Sequence, residues 1–273
     1  MKTIKQAIII LLAVLIVANV ASYFYFGTSD AEVPPKISCP AEPLEILVKD
    51  GHNIDVLLKD VVASDAQDGD LTDRVIYGGT SKLISKDTAK VTYFVFDSDN
   101  NVASCVRYIR YIDYERPTFE VVEPLVFSTT EEVTLLARLK AIDVLEGDIS
   151  KNIRVSTLEP TNNSELYNVT IQVSNSLGDT SRVTLPVLML ANNPSRPQIQ
   201  LTDYLLYLQK GEKLNITKYI KDLKVPGVQD ASIADIEIDY STLDTGKAGI
   251  YYVTYSYTAD GSTGTAILTV VVQ

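Results

Sequence analysis

Four carboxylates are the first side chains whose types and spacing suggest chemistry. Asp65, Asp68 and Asp70 crowd the run Ala63-Ser64-Asp65-Ala66-Gln67-Asp68-Gly69-Asp70-Leu71-Thr72, and Asp97, with Asp99 close behind, follows one strand later. Hard cations such as Ca²⁺ take six to eight oxygen ligands, so acidic loops converging at one end of a domain are suitable raw material. The plainer reading is turn chemistry, in which Asp-Gly pairs and Asx side chains accept hydrogen bonds from nearby backbone N–H groups. The spacing is not that of an EF-hand loop, which favours the plainer reading. Asp65, Asp68, Asp70 and Asp97 are therefore candidate calcium ligands, and calcium is the only cofactor the sequence raises.

Other reactive side chains are few. The one histidine, His52, sits in Gly51-His52-Asn53 with no second histidine or cysteine pair nearby, so it lacks the partners of a zinc site or a Ser-His-Asp triad. No phosphate-cradling glycine loop occurs. The expectation is that the protein is not an enzyme.

These residues must be positioned by a repeated element. Residues 63–105 superimpose on residues 141–183 without a gap, at an offset of 78. The second loop reads Ala141-Ile142-Asp143-Val144-Leu145-Glu146-Gly147-Asp148-Ile149-Ser150. The strand Val91-Thr92-Tyr93-Phe94-Val95-Phe96 returns as Val169-Thr170-Ile171-Gln172-Val173-Ser174 and as Val253-Thr254-Tyr255-Ser256-Tyr257-Thr258. Side chains on a strand alternate between two faces. The row Val91/Tyr93/Val95 is apolar in all three copies and faces a core, while the other row is polar in copies two and three. Such alternation belongs to antiparallel sheets with one wet side, and short strands in units this small indicate sandwiches. Prolines at Pro117, Pro194 and Pro197 mark the boundaries.

The motif Ala-x-Asp-x-x-Asp-Gly-Asp-Leu-Thr, followed by the Val-Thr-Tyr strand and the turn at residues 97–101, resembles a family of bacterial Ig-like domains. These occur in tandem on surface proteins and are related to the Ig-like domain of a pesticidal crystal protein. Copy one carries the motif in full and copy two in part. Copy three keeps Asp244-Thr245-Gly246-Lys247-Ala248-Gly249-Ile250-Tyr251 before its strand but lacks the acidic loop. The resemblance implies an all-β chain of three Ig-like antiparallel sandwiches in a spacer, adhesive or ligand-presenting role, without catalysis.

Residues 7–26 form twenty positions free of charge, long enough at about 1.5 Å per residue to cross a hydrocarbon core of roughly 30 Å. Lys2 and Lys5 precede them, and Asp30 and Glu32 follow, which places the N-terminus in the cytoplasm and the remainder outside. A cleaved signal peptide is the alternative, with a poor cleavage site at Val20-Ala21-Ser22. The expected organisation is a tail at 1–6, a transmembrane anchor at 7–26, a linker at 27–38 and Ig-like domains at 39–115, 116–194 and 195–273. A net charge of −11 argues against nucleic acid as a partner. The expected partners are the membrane, through the N-terminal helix, and an unidentified surface protein or glycan.

Two further features belong to copy one. Cys39 and Cys105 form either a disulfide or two free thiols. Cys105 aligns with Val183 and Ile267, and Cys39 precedes a first strand expected at residues 44–48. Phe94 and Phe96 occupy the row that is polar elsewhere, so they are either covered or form a partner-binding patch. The expected function is a bacterial cell-surface rod for spacing, adhesion or ligand binding. The alternative is an accessory subunit of an envelope assembly or secretion system that docks another protein.

Overall fold

The computed structural model describes residues 12, 14–18, 20, 33–228 and 231–273. Most of the expected anchor at 7–26, and residues 27–32 of the linker, lie outside the described residues. Among the described residues, no helix is long and apolar enough to cross a membrane. The chain divides into two compact units, Met1–Ile112 and Asp113–Gln273. Among the described residues, 12, 14–18 and 20 are helical, and from residue 33 onward the regular structure is all-β apart from short helical turns.

The first unit holds one module. Its strands are β1 (Lys36–Ser38), β2 (Leu44–Ile46), β3 (Val62–Asp65), β4 (Gly69–Asp70), β5 (Ile76–Thr80), β6 (Thr88–Phe96) and β7 (Val102–Tyr111). They form two sheets, β1-β3-β4 and β2-β7-β6-β5. The chain enters antiparallel to β3 and then crosses to the other sheet to lie parallel to β7. Pro40 and Pro43 fall in that crossing, where a residue without an N–H cannot continue a ladder. The first strand is therefore Lys36–Ser38, inside the expected linker at 27–38, and Leu44–Ile46 is the second.

The second unit repeats this plan twice. Module two contains β8 (Thr118–Val121), β9 (Val126–Ser128), β10 (Leu139–Asp143), β11 (Gly147–Asp148), β12 (Arg154–Pro160), β13 (Leu166–Ser174) and β14 (Thr180–Leu190), in sheets β11-β10-β8 and β12-β13-β14-β9. Module three contains β15 (Gln198–Leu201), β16 (Leu205–Leu208), β17 (Ile220–Lys224), β18 (Glu237–Asp239), β19 (Gly249–Ala259) and β20 (Ser262–Val272), in sheets β15-β17 and β16-β20-β19-β18.

The alternation read from the sequence fixes each core. Val91, Tyr93 and Val95, Val169, Ile171 and Val173, and Val253 and Tyr255 are all buried, while Tyr257 is half-buried. One register expectation fails. Tyr93 pairs with Cys105 and Ile171 with Val183, but Tyr255 pairs with Ala266, not Ile267. Modules one and two turn their central hairpin through longer loops with Asn100 or Gly178 at positive φ. Module three uses the tight pair Asp260-Gly261, both at positive φ, and this shorter turn shifts the alignment by one residue.

Modules two and three do not simply follow one another as segments of a rod. In β16, Leu206 and Leu208 pack into the module-three core, whereas Leu205 and Tyr207 join the core of module two, as does Val271 of β20. Pro186 and Leu188, on the outer row of β14, are buried, and so is Thr269 on the outer row of β20. The Tyr207 hydroxyl accepts from the Phe119 N–H at 3.0 Å, and the Tyr252 hydroxyl donates to the Thr184 carbonyl at 3.3 Å. The outer sheet face of module three is thus packed on module two.

Candidate functional site

Each carboxylate of the acidic loop is engaged within module one. Asp65 ends β3, and its Oδ1 accepts from the backbone N–H groups of Gln67 at 2.7 Å and Asp68 at 3.0 Å. Those bonds, the one from Asp68 foremost, hold its carboxyl below the usual carboxylate range. Asp70 accepts from the Thr72 N–H at 2.9 Å, which lowers its carboxyl in the same way. Asp68 ties one loop to the next, accepting from the Ser98 N–H at 2.6 Å and hydroxyl at 2.8 Å, with Arg74 at 3.8 Å. Asp97 accepts from the N–H groups of Asp99 and Asn101 at 2.9 and 2.8 Å and from the Asn101 amide at 2.9 Å. Among the described residues, no three acidic, histidine or cysteine side chains are placed to hold a metal ion. The four candidate calcium ligands are not gathered into one cluster. They satisfy N–H donors that sharp turns leave unpaired.

Module two has the same loops with one exchange. Asp143 accepts from Leu145 and Glu146 as Asp65 does from Gln67 and Asp68. Its second oxygen accepts from the Asn175 amide at 3.0 Å. That amide also donates to the Tyr114 hydroxyl at 2.8 Å, and Tyr114 donates to Asp179 at 3.2 Å. Arg116 closes the network on Asp179 at 2.9 Å. Burial drives the Tyr114 phenol well above its ordinary range, and the Asp179 charge adds to the shift. At the 78-residue offset the pair Asp97/Asn101 becomes Asn175/Asp179. The second oxygen of Asp65, equivalent to the one that Asn175 satisfies on Asp143, is buried and has no hydrogen-bond partner among the described residues.

Cys39 and Cys105 are joined by a disulfide, with Cα atoms 5.9 Å apart. It staples the crossing between β1 and β2 to the inner row of β7. His52 is exposed, in the turn before a single helical turn at Ile54–Leu57 whose N-cap is Asn53. Arg107 was not singled out by the sequence reading. It occupies the inner row of β7, is 5% exposed, donates to the Lys59 carbonyl at 2.7 Å, and has no partner for its Nε among the described residues. Leu185 and Leu268 hold the equivalent positions. Its charge among apolar equivalents is the signal the repeat alignment offered.

Phe94 and Phe96 behave differently from each other. Phe94 is half-buried and lies over Gly78, where a Cβ would come within 2.4 Å of its ring. Phe96 is exposed. It belongs to an outer face of the β5-β6-β7 sheet that also carries Ile76, Val102, Val106 and Tyr108, all between 41% and 51% exposed.

No family model matches the chain, and no curated protein matches it in sequence. Similar solved structures include the M60 catalytic domain with two CBM51 domains of ZmpB from Clostridium perfringens, at 15% identity and a TM-score of 0.24 over 88% of this chain. The protocadherin GammaB4 extracellular domain aligns at 12% identity and a TM-score of 0.21 over 90% of this chain. The chain spans 31% of the first of these and 50% of the second. Mouse cadherin-23 EC22-24 aligns at 14% identity and a TM-score of 0.21, covering 88% of this chain and 99% of that one. Likenesses this distant carry no argument about function, which has to be read from the residues themselves.

Proposed function

We propose that the chain is a non-catalytic, membrane-anchored bacterial surface protein that presents three Ig-like modules outward for spacing, adhesion or ligand binding. The observation that carries the reading is the order of the chain: a charge-free apolar segment at 7–26 leads into three sister β modules. The side chains of the acidic loop, the most conspicuous chemistry in the sequence, are spent on turns. The N-terminal lysines support a cytoplasmic N-terminus. The test is protease shaving of intact cells that express the full chain with a C-terminal tag, followed by alkaline carbonate extraction of membranes. Loss of the tag from intact cells and retention in the carbonate pellet are expected. Protection of the tag, or release by carbonate, would overturn the reading.

A second reading is an accessory subunit of an envelope assembly or secretion system. It is favoured by the exposed apolar outer face of module one, which a simple spacer does not need. Recovery of one stoichiometric envelope protein by cross-linking and affinity purification would select it.

A further inference from the structure

The outer face of the β5-β6-β7 sheet in module one combines an apolar centre with a charge gradient along its strands. Ile76, Phe96, Val102, Val106 and Tyr108 are its exposed apolar residues, in a row of cross-strand pairs that runs from Phe96–Val102 beside the turn through Phe94–Ser104 and Thr92–Val106 to Lys90–Tyr108. At one end the β6–β7 turn carries exposed Asp99, with Asp68 tied to it through Ser98 and facing exposed Arg74 at 3.8 Å, and with exposed Asp73 close in sequence to Asp68. At the other end stand exposed Lys90, which approaches the Tyr108 ring at 5.7 Å, Arg110 paired with Glu45, and a loop entering β6 in which exposed Lys82 and Lys86 outnumber half-buried Asp87. A surface that is acidic at one end, basic at the other and apolar between is complementary to itself when inverted.

The second unit supplies a precedent for what fits this face. By register, Val106 and Tyr108 correspond to Thr184 and Pro186 in module two and to Ile267 and Thr269 in module three. Pro186 and Thr269 are buried where those two modules pack. The module-three positions equivalent to Glu45 and Arg110 are Tyr207 and Val271, which join the core of module two. Module one has an ion pair there, and its apolar area is displaced towards β5 and the start of β7, so its mate must differ from that of module three.

We infer that this face is an isologous docking surface for a second copy of the chain, with the two β6-β7 hairpins antiparallel and Lys90 of each copy near Asp99 of the other. This goes beyond the proposed function and does not depend on it, since it concerns module one whether or not the chain is anchored. The arrangement makes a specific prediction about proximity. Within one chain Lys90 and Asp99 sit at opposite ends of the hairpin, roughly 20 Å or more apart at about 3.3 Å per strand residue. A zero-length amide between them can form only between copies.

The experiment uses the full chain in detergent, prepared as an equal mixture of light and ¹⁵N-labelled protein and treated with a carbodiimide. Mixed-isotope Lys90–Asp99 peptides are expected. Val106→Arg should lower their yield about tenfold, as a desolvated charge at the centre of an interface does. Val155→Arg, on an exposed position of module two, should leave the yield unchanged. Phe96→Ser is the second variant should Val106→Arg lose its disulfide-dependent melting transition. Absence of mixed-isotope links overturns the proposal, and so does a yield indifferent to both face variants. Links from Lys90 to residues 113–273 of the same chain would instead assign the face to the chain's own second unit. Links to a different protein would assign it to a hetero-partner; either outcome overturns the second-copy assignment.

Discussion

Replacing Asp97 with asparagine should stabilise module one, although it alters a fully bonded side chain. In module two, Asp143 has both oxygens satisfied because Asn175 donates to the second. In module one the equivalent oxygen of Asp65 is buried and has no partner among the described residues, and the residue at the position of Asn175 is Asp97, a carboxylate with no proton to offer. An asparagine at 97 keeps an oxygen for the Asp99 and Asn101 N–H groups and turns an amide towards Asp65. Satisfying a buried acceptor is worth about 1–3 kcal/mol. Weakening two charge-assisted bonds to neutral ones offsets about 1 kcal/mol of that. The Asn101 amide can rotate to present its oxygen, so that contact is retained. The net gain is about 1 kcal/mol, or roughly 5 °C for a module of this size. The assay is differential scanning calorimetry of the full chain, with the module-one transition identified as the one that moves on reduction of Cys39–Cys105. An unchanged or lowered transition in Asp97→Asn would refute the argument that Asp65 lacks a donor.

Four further outcomes are expected. Cys39→Ser/Cys105→Ser should cost module one about 4 kcal/mol, the loop-closure entropy for a separation of 66 residues, read as a lower melting temperature that reductant no longer changes. Gly264→Ala should lower the module-three transition by about 1–3 kcal/mol, because its Cβ would come within 2.1 Å of the Pro197 carbonyl oxygen, a backbone atom that cannot step aside. Arg107→Leu should raise module-one stability by about 1 kcal/mol in urea titration, since it removes a buried guanidinium whose Nε is unsatisfied and restores the leucine of the sister modules. Acid should act late. Asp65, Asp70, Asp148 and Asp239 are all held below the usual carboxylate value by turn hydrogen bonds, so their contribution is complete above the unfolded pKa of about 3.9 and is lost as pH falls through the lower folded values. Circular dichroism melts should therefore change little between pH 7 and 5 on account of these groups, and a loss centred near pH 6 would contradict this.

The inner rows were legible because a strand buried on one face leaves a period-two record, and Val91, Tyr93 and Val95 could be checked against two sister copies. The strand at Lys36–Ser38 was not legible, since three residues before a Cys-Pro pair are too few to show alternation. The shift to Ala266 was missed because gapless superposition cannot detect that a two-residue turn replaces a longer one. The purpose of the acidic loop was ambiguous in the sequence. Turn-forming and metal-binding carboxylates share a composition and differ only in where their oxygens point, which is a property of the backbone. The network from Tyr114 to Arg116 was hidden for a related reason, because its members lie about sixty residues apart and meet only once module two has closed.

What distinguishes the three copies lies on their outer surfaces, with Arg107 the main exception. Sheet rows that face inward must fill a similar volume in every copy, so Val91/Val169/Val253 and Tyr93/Ile171/Tyr255 stay apolar. Rows that face outward are free to diverge, and each copy has used that freedom differently. Module two carries Arg154, Gln172 and Arg182 where module one has Ile76, Phe94 and Ser104, and confines its buried outer residues to Pro186 and Leu188 under module three. Module three commits Tyr207 and Val271 to the same contact. Module one keeps an ion pair at those positions and places its apolar residues further along the sheet, where Phe96 and Val102 remain exposed. Apolar outer rows in modules two and three coincide with a packed neighbour, which is the physical ground for testing the module-one face as an interface. The functional difference among the copies is then a difference in what covers the same face of the same sheet.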